Sequence, residues 1–180
     1  GYTASDFKLL HAYDNKLFRW GYFTKTLNTG LEQWNDTKKI KICWAGRMME
    51  LKHPEYAVMA FDKLLSSIGS ERKEDFELVM IGDGQLRSGL EKYLRENELE
   101  KYVNFTGNLS PDEVRKEMES SHIFVMTSNY LEGWGAVINE AMDSGCLVLC
   151  SDEAGASPYL IKDKINGYSY KGGSFKEFEK

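Results

Sequence analysis

The chain has 180 residues, of which 42% are hydrophobic and 28% are charged, a balance typical of a globular domain. This length can bury one core, so we expect one domain with an appendage. The net charge is -5, and no run of five like charges occurs, so a nucleic acid is not an expected partner. No apolar stretch approaches the roughly 18 residues that a membrane-spanning helix needs.

Three cysteines, Cys43, Cys146 and Cys150, occur in apolar runs that are typical of strands. Their odd number and the absence of metal-ligand spacing favour reduced core thiols in a cytosolic protein. The chain begins at Gly1 and ends within a polar, helix-like segment, residues 174–180. Neither end resembles a natural terminus, so we expect a domain excised from a longer protein.

The first 38 residues differ in pattern from the rest. Aromatic residues are concentrated at Leu17–Phe23, and Asn28–Thr37 is polar and typical of a loop. Aromatic clusters usually pack in a core, which is the favoured interpretation here. If these side chains belong to a connection that has lost its packing partner, an exposed apolar patch is expected instead.

From Lys39 onward, apolar runs of strand length alternate with segments of helical periodicity. The predicted elements, in chain order, are strand 41–45, helix 54–68, strand 76–81, helix 85–97, strand 103–106, a helix capped by Ser110, strand 122–127, helix 136–145, strand 146–151 and a short helix at 158–162. Strands that alternate with single helices predict a parallel sheet with helices on both faces. Ligands of such sheets bind beyond the carboxyl ends of the strands.

The segment Ser128–Glu140 joins a predicted strand to a predicted helix through a glycine-rich turn. Gly133 and Gly135 let the backbone approach a ligand, and the first amides of a helix favour a phosphate. Glu132 and Glu140 flank this turn and would accept hydrogen bonds from hydroxyl groups on either side of the phosphate. These features together indicate a nucleotide sugar, although each alone also fits an ordinary turn in an acidic chain.

The run Glu-Gly-Trp-Gly-Ala-Val-Ile-Asn-Glu-Ala-Met-Asp-Ser-Gly, from Glu132 to Gly145, closely resembles the Glu-x7-Glu signature of retaining glycosyltransferases of the GT-B fold. This is the glycosyl transferases group 1 family, of the family 4 type. The resemblance implies that Glu140 holds the ribose hydroxyls and that Glu132 contacts the donor sugar. The resemblance also implies that the sugar and the diphosphate contact backbone groups of Gly133, Trp134, Gly135 and Ala136. Trp134 stands where the family usually has Phe.

A second motif, Gly46-Arg-Met-Met-Glu-Leu-Lys52, directly follows a predicted strand. Arg47 and Lys52 would place two positive charges beside a diphosphate, Arg through its planar fork and Lys as a point charge. Their spacing alone favours ordinary solvated cations. The motif resembles the family's Gly-Arg-x4-Lys-Gly, which implies a diphosphate clamp, and His53 departs from it where the family usually has Gly.

Two further segments resemble the family at the nucleotide. Gly82-Asp-Gly84 resembles the Gly-x-Gly turn that faces the nucleotide, although Asp-Gly is also an ordinary turn signal. The segment from Val103 to Leu109, which includes Asn108, resembles the strand and loop of the family whose backbone groups contact the base. Backbone recognition leaves little trace in side chains, so the sequence does not choose between uridine, guanosine and adenosine.

These resemblances imply an α/β fold, a Rossmann-like doubly wound parallel sheet that forms one half of a GT-B fold. Residues 39–180 would be the C-terminal, nucleotide-sugar-binding domain, truncated at both ends, and residues 1–38 a remnant of the connection to the N-terminal half. We expect a hexosyltransferase acting on a sugar or lipid-linked acceptor in cell-surface polysaccharide or glycolipid synthesis. The acceptor would bind the missing half, and this fragment alone would be inactive.

No cofactor is expected beyond the nucleotide-diphospho-sugar substrate. The three histidines, His11, His53 and His122, do not cluster with Cys or carboxylates at metal-ligand spacing. We expect a metal-independent, cytoplasmic protein, and a peripheral contact with the inner face of the membrane stays open for the full-length protein.

Three alternatives remain. A non-catalytic module would bind the nucleotide sugar without transfer, and a GT-B sugar-nucleotide epimerase or hydrolase would turn over the donor without an acceptor. A dinucleotide oxidoreductase needs Gly-x-Gly-x-x-Gly after its first strand, which neither Gly46 nor Gly82 opens, so this class is the least favoured.

Overall fold

Six parallel strands form one sheet in the computed structural model, which describes residues 3–13, 15–18, 21–26, 34 and 38–178. The strands are β1 (Ile40–Ala45), β2 (Phe76–Ile81), β3 (Val103–Gly107), β4 (Ile123–Met126), β5 (Leu147–Ser151) and β6 (Gly167–Tyr170). Their order in the sheet is β3-β2-β1-β4-β5-β6, and all neighbours are parallel. The chain therefore builds the sheet outward in one direction from β1 and in the other from β4.

Helices connect the strands. The α-helices are α1 (Thr3–Leu9), α2 (Pro54–Ser67), α3 (Arg87–Glu96), α4 (Pro111–Glu119), α5 (Val137–Asp143), α6 (Ser157–Leu160) and α7 (Phe175–Phe178). Short 3₁₀ helices lie at Glu50–Lys52 and Ser70–Asp75. Ser110 caps α4 as predicted, because its side chain accepts from the Glu113 amide while the Glu113 carboxylate accepts from the Ser110 amide.

Alternate strand residues face two cores, one on each side of the sheet. Trp44 and Met80 point into the core that α2, α3 and α7 cover, whereas Cys43 and Val79 point into the core beneath α4, α5 and α6. The predicted doubly wound sheet with helices on both faces is thereby confirmed. All three cysteines are buried and free, as predicted.

The early segment differs from the favoured expectation. Phe18 is 89% exposed and Phe23 is 82% exposed, so core packing is wrong for these two side chains. The rest of the predicted aromatic cluster includes residues 19 and 20, which lie outside the described part of the chain, as do residues 28–33 and 35–37 of the predicted loop. Among the described helices, none is long and apolar enough to cross a membrane.

Candidate functional site

A cleft of about 610 Å³ opens beyond the carboxyl ends of β1, β2 and β4. The strand order reverses between β1 and β4, and open α/β sheets bind their ligands at such a reversal. Most of the predicted site residues line this cleft, namely Gly46, Arg47, Lys52, Gly82, Asn108, Leu109, Glu132, Gly135 and Ala136. Loops that are distant in sequence thus meet at one edge of the sheet.

An ion pair joins the two loops on either side of this reversal. Lys52 Nζ, which follows β1, donates a hydrogen bond to Glu132 Oε2, which follows β4. The two side chains are only 21% and 14% exposed. Their charges compensate one another in a partly desolvated place, where an ion pair is stronger than at a fully exposed surface.

Buried hydrogen bonds fix the two loops against each other. Thr127 Oγ1 donates to the Lys52 carbonyl at 2.6 Å and accepts from Trp44 Nε1 at 2.8 Å. The Asn129 amide donates to the Leu51 carbonyl at 2.9 Å. These bonds fix the Lys52 backbone against the end of β4, and the Glu132 amide donates to the Asn129 carbonyl in the same loop at 2.9 Å.

His53 shows how this loop works without the glycine that the family usually has. Its φ of 42° and ψ of 53° lie in the left-handed region that glycine enters most easily. The ring lies 2.8 Å from Glu55 Oε1 through Nδ1 and 3.3 Å from Asn129 Nδ2 through Nε2, and it stacks on Tyr56 with a centroid distance of 4.7 Å. These contacts hold a backbone shape that the histidine alone would disfavour.

Arg47 supplies the second positive charge of the cleft. Its side chain is exposed and lines the cleft beside Gly46. Of the described carboxylates, none forms an ion pair with its guanidinium. Arg47 thus differs from Lys52, because no carboxylate in the described part of the chain compensates its charge.

Two glycines that line the cleft, Gly82 and Gly135, have a positive φ. Gly82 has a φ of 118°, and a Cβ there would lie 2.0 Å from the Gly46 carbonyl oxygen. Gly135 has a φ of 77°, and its Cβ would lie 2.9 Å from Met126 Cε. A side chain at residue 82 would push two backbone segments apart, whereas at residue 135 the positive φ is the main constraint.

Three predicted residues do not line the cleft. Trp134 donates from its indole to Asn139 Oδ1 at 2.8 Å, and its ring packs between Tyr22 and Tyr159 at centroid distances of 6.0 and 5.7 Å. Gly133 precedes it in the loop. Glu140 lies in the first turn of α5, where its carbonyl accepts a hydrogen bond from Arg115 Nη1 at 2.8 Å.

The cleft also has lining residues that the motifs did not indicate, including Asp83 and apolar side chains such as Val114 and Val137. Asp83 accepts from the Gly84 amide at 2.7 Å and from Arg87 Nη1 at 3.0 Å. Hydrogen bonds to Glu91 and to Asp83 raise the pKa of Arg87. Asp83 was present within the Gly-Asp-Gly turn, but Val114 lies in a helix whose position against the cleft depends on the fold.

The described residues contain no group of three or more His, Cys, Asp or Glu side chains that could hold a metal ion. The chemistry visible in the cleft is that of two cations, two carboxylates and backbone groups. Such a set can bind an anion beside hydroxyl groups.

Known proteins share this fold and sequence pattern. An uncharacterised glycosyltransferase of Methanocaldococcus jannaschii is 28% identical over 142 residues, which are 79% of this chain and 35% of that protein. The C-terminal domain of the glycosyl transferase group 1 family protein LpcC from Francisella tularensis is 26% identical, with a TM-score of 0.70 over 86% of this chain and 80% of that chain. This likeness agrees with the predicted half of a GT-B fold.

A third neighbour was solved with a nucleotide. The Anabaena protein HepE in complex with UDP is 20% identical, with a TM-score of 0.66 over 79% of this chain and 37% of that chain, so the likeness concerns the fold.

The chain spans between 24% and 35% of the length of the first curated relatives. A family model described as "Glycosyl transferases group 1" matches residues 32–180. Because this match covers most of the chain, the protein belongs to the glycosyl transferases group 1 family.

Proposed function

We propose that this chain is the donor-binding C-terminal half of a retaining GT-B glycosyltransferase, and that its cleft binds a nucleotide-diphospho-sugar. The observation that carries the proposal is the meeting of Arg47, Lys52 and Glu132 in one cleft where the strand order reverses. Two cations suit a diphosphate, and a carboxylate beside them suits the hydroxyl groups of a sugar.

Each residue then has a role in binding. Arg47 and Lys52 contact the diphosphate, together with backbone groups of Gly46, Gly135 and Ala136. Glu132 accepts hydrogen bonds from the donor sugar. Glu140 holds the ribose hydroxyls and Gly82 faces the nucleotide, while the backbone at Asn108 and Leu109 receives the base. Backbone groups at Gly133 and Trp134 complete the sugar side.

Because Lys52 and Glu132 are bonded to each other, the diphosphate binds Lys52 before the sugar binds Glu132. A diphosphate offers Lys52 a more highly charged partner than one carboxylate, so Lys52 moves its hydrogen bond to the phosphate. Glu132 is then released to accept hydrogen bonds from the sugar. Both partners are held in place by the same loops before and after this exchange, which limits the reorganisation that binding requires.

The proposed reaction breaks the bond between the anomeric carbon and the diphosphate oxygen. Negative charge grows on the leaving diphosphate, and Arg47 and Lys52 stabilise it, an effect commonly worth a few kcal/mol per donor. The acceptor hydroxyl attacks from the face that the diphosphate leaves, which retains the configuration, and its proton leaves with the departing phosphate. No nucleophile is assigned to this chain, and no metal takes part.

The full-length protein would transfer a hexosyl group to a sugar or lipid-linked acceptor bound by the N-terminal half. Cell-surface polysaccharide or glycolipid synthesis is the proposed setting, with the enzyme in the cytoplasm and peripheral to the inner face of the membrane. This fragment would bind the donor but would not transfer the sugar.

The test is a thermal-shift and NMR titration of the chain with UDP, GDP and ADP, followed by their sugar conjugates. A ligand at 100 times its dissociation constant adds about 2.7 kcal/mol to the free energy of unfolding. The proposal predicts a response to one of the three bases, with NMR shifts at the cleft. The HepE complex with UDP supports uridine as the first choice.

Other outcomes separate the alternatives. Binding without transfer by the full-length protein would indicate a non-catalytic module. Consumption of the donor without any acceptor would indicate an epimerase or hydrolase. No binding of any nucleoside diphosphate, by this chain or by the full-length protein, would contradict the proposal.

A further inference from the structure

A second cavity, of about 340 Å³, lies between α2 and α3 and shares no lining residue with the cleft. We call it the α2–α3 groove. Its lining residues are Glu50, His53, Glu55, Val58, Met59, Leu86, Gly89, Leu90 and Tyr93. The volume falls in the range of about 300–1,000 Å³ that small-molecule sites occupy. The proposed function uses none of the side chains of this groove.

One end of the groove is acidic. The Glu55 side chain is 35% exposed, and its Oε1 lies 2.8 Å from His53 Nδ1, but its Oε2 atom is turned inward and receives no hydrogen bond from the described residues. Glu50 places a second carboxylate in the same lining. A buried carboxylate oxygen without a donor is unfavourable, so this end of the groove favours a ligand that donates hydrogen bonds and carries positive charge.

The hydrogen bonds around His53 show which oxygen of Glu55 the ring contacts. Asn129 Oδ1 accepts from the Leu131 amide at 3.0 Å, which assigns the NH₂ group to the side that faces His53 Nε2 at 3.3 Å. In this arrangement Nε2 accepts from the Asn129 amide and Nδ1 donates to Glu55 Oε1. The histidine therefore contacts one oxygen of Glu55 and leaves Oε2 without a donor among the described residues.

The rest of the groove is apolar. Val58 and Met59 of α2 face Leu86 and Leu90 at the start and middle of α3. Gly89 lies inside α3, where a Cβ would meet no atom within 4 Å, so this glycine leaves space open in the groove. Tyr93 adds an aromatic ring, and its hydroxyl donates to Asp62 at 2.6 Å, outside the groove lining. An alkyl or aryl group fits such walls.

We propose that the α2–α3 groove binds a small organic cation, an amine with an alkyl or aryl body. The ammonium group donates to Glu55 Oε2 and lies beside Glu50, and the body packs along the apolar walls of α2 and α3. The acidic end and the apolar walls are parts of one cavity, so one ligand contacts both. This binding is independent of what the main cleft binds.

The experiment uses n-hexylammonium chloride as the probe, with 1-hexanol and hexanoate as matched neutral and anionic controls. NMR of the chain, with labelled methionine methyls and backbone amides, reports the binding site. The expected result is binding of the amine with a dissociation constant of about 1 mM, shifting Met59 and Gly89, with the alcohol and the acid bound about tenfold more weakly or less.

Two variants and one control localise the site. Glu55→Gln keeps the acceptor for His53 but removes the charge, and Gly89→Leu fills the open space with a better helix former, so its fold is retained. Each should weaken amine binding about tenfold or more, whereas Glu96→Gln, at the exposed end of α3, should leave it unchanged. Equal binding of 1-hexanol, shifts confined to the main cleft, or no shift at about ten times the expected dissociation constant would overturn the proposal.

Discussion

Lys52 donates a hydrogen bond to Glu132 across 80 residues of sequence and across the point where the strand order reverses. The two side chains that were predicted to contact different parts of one ligand are thus bonded to each other. An anionic ligand that binds the Lys52 ammonium competes with Glu132 for this cation. This exchange leads to predictions that distinguish the two roles.

We expect Glu132→Gln to bind a nucleoside diphosphate more tightly than the parent chain, by about two- to tenfold, because a neutral amide competes less well for Lys52. The same change should abolish the additional affinity that the sugar gives to the conjugate. Isothermal titration with UDP and UDP-sugar measures both effects. Glu119→Gln, in α4 outside the cleft lining, is the control. Weaker binding of the diphosphate by Glu132→Gln would contradict the exchange.

Glu140 is proposed to hold the ribose hydroxyls, but it does not line the cleft. This assignment therefore needs a test of its own. Replacement by Ala, a good helix former, should weaken nucleotide binding by about 1 to 3 kcal/mol if the carboxylate accepts from the ribose hydroxyls. A 2′,3′-dideoxy nucleotide should show the same loss with the parent chain and no further loss with the variant. If the folded variant binds the parent nucleotide with unchanged affinity, the assignment is removed.

The left-handed backbone of His53 predicts an unusual order of stability. Both His53→Ala and His53→Gly lose the contacts with Glu55, Asn129 and Tyr56. Only Ala keeps the backbone strain, which is worth about 1 to 2 kcal/mol for a residue with a side chain. Chemical denaturation should therefore show the Gly variant as more stable than the Ala variant by about 1 kcal/mol. Equal stabilities would show that the conformation at residue 53 relaxes freely.

Buried thiols predict a loss of stability in alkaline solution. Burial raises the pKa of Cys150 to about 12, above the ordinary value of 9.0. The unfolded chain therefore releases this proton first, so stability is fully present below about pH 9 and is lost as the pH rises towards about 12. One proton gives a slope of about 1.4 kcal/mol per pH unit. Denaturation of Cys150→Ala between pH 9 and 11 should show a slope that is smaller by up to this amount, and an unchanged slope would contradict the prediction.

Much of the fold could be predicted from the sequence because the strands are buried on both faces and read as continuous apolar runs. β2 occupies the predicted residues 76–81, and α2 ends one residue before its predicted limit. β6 was not predicted, since Gly167–Tyr170 is a four-residue strand with two exposed residues in the middle and gives no apolar run. Phe18 and Phe23 were assigned to a core that the structure does not build around them.

The site was predictable as a set of loops but not as a set of contacts. Motif spacing placed Arg47, Lys52 and Glu132 after strands, and parallel strands bring such loops to one edge. The bond between Lys52 and Glu132 depends on which strands are neighbours, and this is not encoded locally. Trp134 illustrates the same limit, because its neighbours Tyr22 and Tyr159 come from distant parts of the chain.

The most direct test of the proposed donor site is the dependence of binding on the diphosphate and on Arg47. Isothermal titration would compare UDP, or the base that the initial titration selects, with the corresponding nucleoside monophosphate, for the parent chain, Arg47→Ala and the exposed surface control Arg72→Ala. We predict that the parent and Arg72→Ala bind the diphosphate at least about tenfold more tightly than the monophosphate, and that Arg47→Ala loses most of this difference. Equal affinities for the two nucleotides, or a difference that survives in Arg47→Ala, would contradict the diphosphate clamp.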